Sequence, residues 1–197
     1  MTRQQPAEVR RQRILDAAAS LLIKDGLRET SMDAVASAAG IAKGTVYIYF
    51  PSRSDLLAAL RHRYAEDLAR RAANILNATD GAKGRSLAGA YQRLAASLAD
   101  FVLANQRLYH VLFQEAGVAE EETMEPLRRV VRDSLQRAMD SDVLAPIDAD
   151  ILSRFLLDGI DGALAPLFHH QRADRRRVFA AVNEVIRRLL APSEDQA

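Results

Sequence analysis

The sequence predicts an all-α fold, and three observations carry that expectation. Apolar residues recur at helical spacing through most of the 197 residues, no stretch sustains the alternation of a half-buried strand, and β-branched residues are sparse. With 49% of its residues hydrophobic, the chain can bury a substantial core in one domain, or in a small and a larger one.

The first helix is expected over Ala7–Lys24, where Ile14, Leu15, Ala18, Leu21 and Leu22 repeat at helical spacing and Gly26 closes the run. Thr30, Ser31 and Asp33 open a short second helix with Met32, Val35, Ala36 and Ala39 as its apolar positions, ending at Gly40. A two-turn third helix follows and stops at Pro51. Ser52 and Asp55 have the spacing of a capping box for a long fourth helix reaching about Ala78. Beyond Gly81 and Gly84, helices are expected at Ser86–Ala104, Gln106–Ala116, Glu125–Met139, Asp148–His169 and Asp174–Leu190, with Thr123 a candidate cap and Pro126 an early-turn residue. The nine helices fall into three short ones and six longer ones. That division sets expected domains at residues 1–53 and 54–197.

Composition excludes several classes. Cysteine is absent, which removes disulfides, thiolate zinc sites and thiol catalysis. The polar, basic N-terminus offers no apolar stretch for a signal peptide, and the most apolar region, Ser86–Ala104, is interrupted by Arg93 and Asp100. A cytoplasmic protein is the expectation. The formal net charge is only +1, but eight of the basic residues and five of the acidic ones lie at or before Arg53. The N-terminal end is thus the basic one, a modest asymmetry toward nucleic acid. Asp158, Asp161, His169 and His170 invite a metal-site reading, yet Asp158 and His169 would lie about 16 Å apart along a straight helix. Neither a metal nor a cofactor is expected, and no glycine-rich phosphate loop, GxSxG elbow or HExxH motif marks an enzyme.

The segment GIAKGTVYIYF, Gly40–Phe50, concentrates the functional signal. On a helical wheel Val46 and Phe50 fall together toward a core, and Ile48 points away with Gly44, Thr45 and Tyr47 around it. A helix-turn-helix needs a small residue for close crossing, a turn residue that accepts positive φ, and a buried apolar residue on its second helix. Ala36, Gly40 and Val46 supply these, although an ordinary helical corner can show the same triplet.

The residues around that triplet are more specific. Ile14-Leu15, Gly26, Thr30-Ser31, Ala39-Gly40-Ile41, Lys43-Gly44-Thr45, Tyr47-x-Tyr49-Phe50, Ser52-Arg53 and Leu56-Leu57 follow in order over Arg10–Leu57. This stretch resembles the N-terminal DNA-binding region of TetR-family transcriptional regulators. Ala42 departs from it, standing where the family often has serine, and Ile48 stands where polar or aromatic residues are common. The resemblance implies an N-terminal three-helix DNA-binding domain and a six-helix ligand-binding and dimerisation domain. It implies that the third helix enters a major groove, with Ile48 against a thymine methyl, Lys43 near a guanine edge or phosphate, and Gly44 letting the backbone approach. Ala42, Thr45, Tyr47 and Tyr49 flank that face, Thr30, Ser31 and Arg53 are expected at phosphates, and Arg10, Arg11 and Arg13 add sequence-blind attraction.

For the larger part, the resemblance implies a cavity for a small hydrophobic or amphipathic effector. Its candidate lining is Tyr64, Phe101, Leu108, Tyr109, Phe113, Leu127 and Phe155, with Tyr91, His110 or Gln114 as polar groups; plain core packing is the alternative for each. Val178, Val182, Val185, Ile186 and Leu189 form an apolar stripe at heptad-like spacing, and Ile160 and Leu164 lie on a helix whose Gly159, Gly162 and Ala163 permit close approach. The alternatives are a core pair within one chain and a homodimer through a four-helix bundle; the resemblance favours the dimer and hence a palindromic operator. The combined expectation is a sequence-specific regulator, a repressor released by its ligand. The competing readings are a helical ligand-binding or protein-interaction module that does not bind DNA, and a helical enzyme.

Overall fold

The computed structural model describes residues 6–78, 86–115, 123–169 and 174–191, without the side chains of Gln114, Glu115 and His169. Gly81, Gly84 and His170 lie outside the described residues, as do the side-chain roles considered for Gln114 and His169. Among the described residues the fold is all-α: α1 (Ala7–Glu29), α2 (Met32–Ala39), α3 (Lys43–Tyr49), α4 (Arg53–Asn77), α5 (Leu87–Ala104), α6 (Gln106–Tyr109) running on into a π-helical stretch (His110–Glu115), α7 (Glu125–Asp140), α8 (Ala149–His169) and α9 (Arg175–Leu189). No helix among them is long and apolar enough to cross a membrane.

The chain forms two compact units, one up to Tyr64 together with the segment beginning at Asn105, the other comprising Ala65–Ala104 and the residues from Met124 onward. In the first unit α1 packs on α2, α2 on α3, and α1 also meets α6 and its π-helical continuation. Ile14, Leu15, Ala18 and Leu22 of α1 are fully buried, as are Val35 of α2 and Val46 of α3. The corner between α2 and α3 is made by Gly40 at φ 63, ψ 41, with its N–H and that of Ile41 returning to carbonyls of the last turn of α2.

Several helix ends match the residue types that predict them. Ser31 Oγ accepts from Ala34 N at 3.1 Å, Ser52 Oγ accepts from Asp55 N at 3.1 Å, and Asp174 accepts from Arg177 N at 3.2 Å. Asp148 takes the N–H groups of Asp150 and Ile151 at the start of α8. Three ends differ. Gly26, at φ 83 and ψ 178, interrupts α1 without ending it: a further helical turn carries the chain to Glu29. The N-cap of α7 is Met124 and not Thr123, and it makes no side-chain capping bond. The sixth helix leaves α-helical register after Tyr109, because its hydrogen bonds shift to i→i+5 over His110–Glu115.

In the second unit α7 packs on α8, α8 on α9, and α9 and α8 on α5. Its core includes Leu94, Leu135, Val131 and Ile186, with Tyr91 fully buried and its hydroxyl donating to Val131 O at 3.1 Å. That bond turns Tyr91, a candidate polar lining group, into a tie between α5 and α7. Gln92 adds a second one, its Nε2 donating to Asn183 O of α9 at 3.0 Å.

Candidate functional site

Helix α3 has two unlike faces. Val46 is fully buried and Phe50, just past the helix, is 2% exposed, whereas Ile48 is 79% and Tyr47 40% exposed. Their spacing puts Ile48 about 160° from Phe50 around the axis at 100° per residue, so the helix cannot bury all of its apolar side chains in one core. Gly44 and Lys43 are exposed, Thr45 and Tyr49 half-buried, and nothing lies within 4 Å of a Cβ built at Gly44. The open face therefore runs along the helix without obstruction. Ala42 occupies the N-cap position and supplies no side-chain cap, leaving the first N–H groups of α3 without the acceptor a serine would give.

Lys43 is held by Asp33, with Nζ 2.8 Å from Oδ1 and 3.0 Å from Oδ2, both side chains well exposed. The Asp33 hydrogen bond, more than its charge, raises the Lys43 pKa above the ordinary value. Any phosphate or base edge approaching Lys43 must compete with that carboxylate. An exposed pair of this kind is weak because solvent screens it, so exchange is inexpensive.

The three residues expected at phosphates are used differently from one another. Ser31 is exposed at the N-terminus of α2, where its hydroxyl oxygen already caps the helix. Thr30 is only 3% exposed and its Oγ1 donates to Gly26 O at 2.8 Å, so its side chain is an internal brace. Arg53 donates from Nε to Thr30 O at 3.0 Å and from Nη2 to Leu27 O. Gly26, Thr30 and Arg53 thus form one clamp joining the end of α1 to the start of α4. Arg11 lies 5.5 Å over the Phe50 ring, which also gives this basic residue a packing role.

The expected effector residues divide between the two units. In the first, Tyr64, Tyr109 and Phe113 form a ring cluster with centroids 6.0, 5.6 and 5.2 Å apart, and Leu108 is half-buried nearby in sequence. In the second, Phe101 and Leu127 are buried, and Arg71 stacks 4.7 Å over the Phe101 ring. Phe155 stands apart, 61% exposed on α8, where it cannot line an enclosed cavity of this chain. His110 is exposed.

The expected dimer residues also divide. Ile160, Leu164, Val182 and Ile186 are buried in the chain's own second unit, Val178 is half-buried, and Val185 and Leu189 are exposed. An apolar stripe broad enough to serve two neighbours cannot tell, from spacing alone, which flank faces its own core. The exposed flank carries two residues absent from the expected interface set, Ile151 and Phe155, one turn apart on α8.

With this geometry in view, the match to known proteins is informative. Residues 14–60 match the family described as bacterial regulatory proteins, tetR family. The chain is 26% identical over 155 residues to the HTH-type transcriptional repressor KstR2 of Rhodococcus jostii, covering 76% of this chain and 75% of that one. The family match at the N-terminal end, the regulator relatives and the shared fold all indicate a TetR-family transcriptional regulator. The chain is also 29% identical over 154 residues to the uncharacterised HTH-type regulator YuxN of Bacillus subtilis, of which it spans 50% of the length. A Mesorhizobium loti structure, provisionally classed among TetR-family regulators, shares the fold with a TM-score of 0.76 and 18% identity, over 95% of this chain and 98% of that one.

Proposed function

We propose that this TetR-family chain is a cytoplasmic repressor that binds a palindromic operator as a homodimer and leaves it when a small hydrophobic or amphipathic effector binds. The observation that carries the DNA reading is the outward face of α3, where Ile48 and Tyr47 are exposed opposite a fully buried Val46. Residues 1–53 are the DNA-binding domain in this reading and residues 54–197 the ligand-binding and dimerisation domain. Ile48 meets a thymine methyl, Tyr47, Thr45 and Lys43 meet base edges or phosphates, and Gly44 and Ala42 keep the backbone close. Ser31 and Tyr49 contact the strand backbone, while Thr30 and Arg53 hold the helices that present these groups. Repression follows the name of the KstR2 relative.

The dimer reading has support in the surface of α8. Gly159 and Gly162 are exposed, and a Cβ at either would meet nothing within 4 Å. Among the described residues their smallness therefore serves no packing, and it suits the close approach of a helix from a second copy. We assign that contact to Ile151, Phe155, Val185 and Leu189, with Val178 at its edge, backed by Ile160, Leu164, Val182 and Ile186 from below. A two-fold pair built this way presents two α3 helices to successive half-sites. Effector binding around Tyr64, Leu108, Tyr109 and Phe113, or Phe101 and Leu127, would favour a conformer in which α4 moves and that spacing is lost.

The test is selection of duplexes from random or genomic DNA by purified protein at near-physiological salt. One enriched palindrome is expected, bound about 10-fold or more weakly by Tyr47→Ala and with relaxed preference at a thymine in Ile48→Ala. Absence of any enriched sequence would favour a helical ligand-binding module without DNA function.

A further inference from the structure

Ile48 is the most exposed large apolar side chain among the described residues, at 79%. It lies about 200° around α3 from the fully buried Val46, at 100° per residue. The geometry of the helix therefore turns it away from the chain's own core. Gly44, one turn earlier on the same line, has no side chain, and a Cβ built there would meet nothing within 4 Å. Within α3, Ile48 is the only side chain that projects from that line.

The flanks of the line are polar. Around the axis Lys43 and Tyr47 fall to one side of Ile48, and Thr45 and Tyr49 to the other. What fits such a face is a single small apolar group set in a hydrogen-bonding surface. The basic excess at or before Arg53 adds that the surface is anionic. The floor of a DNA major groove offers one group of this kind, the C5 methyl of a pyrimidine. Thymine always carries it, and cytosine carries it when methylated.

The two bases differ beside that methyl, where thymine has the O4 acceptor and cytosine the N4 amino donor. Ile48 has no donor or acceptor with which to tell them apart. The hydroxyls of Thr45, Tyr47 and Tyr49 can donate to the first and accept from the second. Lys43 and Asp33, 2.8 Å apart, likewise hold a donor and an acceptor together. The face thus combines strict chemistry toward the methyl with tolerant chemistry toward the group next to it.

We propose that Ile48 reads the C5 methyl and not the base that carries it, so that cytosine methylation at that position turns a weak site into a strong one. This rests on the reading of the chain as an operator-binding regulator and adds to it a response to the methylation state of the DNA. Burying one methyl group corresponds to roughly 4-fold in affinity, and a two-fold site presenting two of them to roughly 10- to 20-fold.

The test uses the full-length protein and four random duplex pools, made with thymine or uracil and with cytosine or 5-methylcytosine. From the thymine and cytosine pool, a palindrome is expected with thymine at one position of each half-site. From the uracil and 5-methylcytosine pool, the same palindrome should return with 5-methylcytosine at that position. The uracil and cytosine pool, which has no C5 methyl, should yield binding roughly 10-fold weaker and no preference there. Ile48→Ala, an exposed change that leaves the core intact, should lose the preference in every pool. Uracil selected in place of thymine at equal affinity would overturn the proposal, because O4 would then be the group read. A methyl preference that survives in Ile48→Ala would overturn it too, since an altered duplex shape gives that result without any contact. An enriched palindrome indifferent to the methyl removes this inference alone. Selection of no sequence from any pool removes the operator reading with it and leaves Ile48 to a protein partner.

Discussion

Helix α3 and the surface of α8 and α9 both leave apolar side chains in the open, and they do so in different company. On α3, Ile48 stands alone among Lys43, Thr45 and Tyr47, all able to donate hydrogen bonds. On α8 and α9, Ile151, Phe155, Val185 and Leu189 are exposed together, with Gly159 and Gly162 open on α8 beyond Phe155. A single methyl-bearing group in a polar ring suits a surface that is itself polar and grooved, with one apolar spot. A run of apolar side chains beside bare glycines suits another helix face. The same property, exposure, thus points to two partners, and the polarity of the neighbours separates them.

The largest effect should come from the apolar region. Phe155→Glu removes a side chain whose burial is worth about 1.5–3 kcal/mol, and a two-fold interface repeats the loss. Weakening of self-association by about two to four orders of magnitude is expected, with operator affinity falling alongside it. Sedimentation equilibrium measures the first and duplex binding the second. Unchanged self-association in Phe155→Glu would place the dimer contact elsewhere, and the contrast between the two regions would lose its meaning.

Next in size is the clamp that presents α3. Gly26 lies at φ 83, ψ 178 with nothing within 4 Å of an added Cβ, so the cost of Gly26→Ala is conformational and not steric. A loss of about 1–3 kcal/mol is expected in denaturant unfolding, along with weaker operator binding as the Thr30 and Arg53 contacts loosen. Dimerisation should be unaffected. Equal stability of Gly26→Ala and wild type would mean that the segment relaxes freely around that residue.

A smaller effect tests the electrostatics of the polar region. Asp33→Asn frees Lys43 and removes a negative charge from the DNA-facing side, so affinity for any duplex should rise by roughly 3- to 10-fold at low salt. Lys43→Gln should instead lower the slope of log K against log salt by about 1. Additivity of the two in the double variant would indicate that the pair does not compete with DNA for Lys43.

These regions also differ in how plainly the sequence announced them. The two faces of α3 could be read because Val46, Ile48 and Phe50 sit at fixed angles on any helix, and Ser52, Asp55, Asp174 and Pro126 carry local signals that tertiary packing did not override. Gly26 signals a helix end, yet a positive-φ residue can also kink a helix that resumes, and only the contacts of Thr30 and Arg53 decide which. The split of Ile160, Leu164, Val182 and Ile186 from Val185 and Leu189 depends on how α8 and α9 are rotated against α5 and α7, which spacing does not encode. The π-helical register after Tyr109 left no mark in residue type.

The smallest effect lies on α9, next to the apolar stripe. Glu184 accepts from Arg187 Nε and Nη2 at 2.9 and 2.7 Å and from Arg188 Nε at 2.7 Å. The Arg187 hydrogen bonds first, then those of Arg188, lower its pKa from 4.5 to about 2. A depressed carboxyl favours the folded state fully above its unfolded value of 4.5, and that contribution is lost as pH falls through about 2. The cluster is solvent-screened, so the effect is small and diminishes with salt. Glu184→Gln should therefore melt slightly below wild type at neutral pH, with the two curves converging between pH 4.5 and 2 in low salt. A Tm difference that persists below pH 2 would have to come from packing. In that case Glu184 would belong with its neighbour Val185 to the partner-facing surface, and the line between polar and apolar regions of α9 would move by one residue.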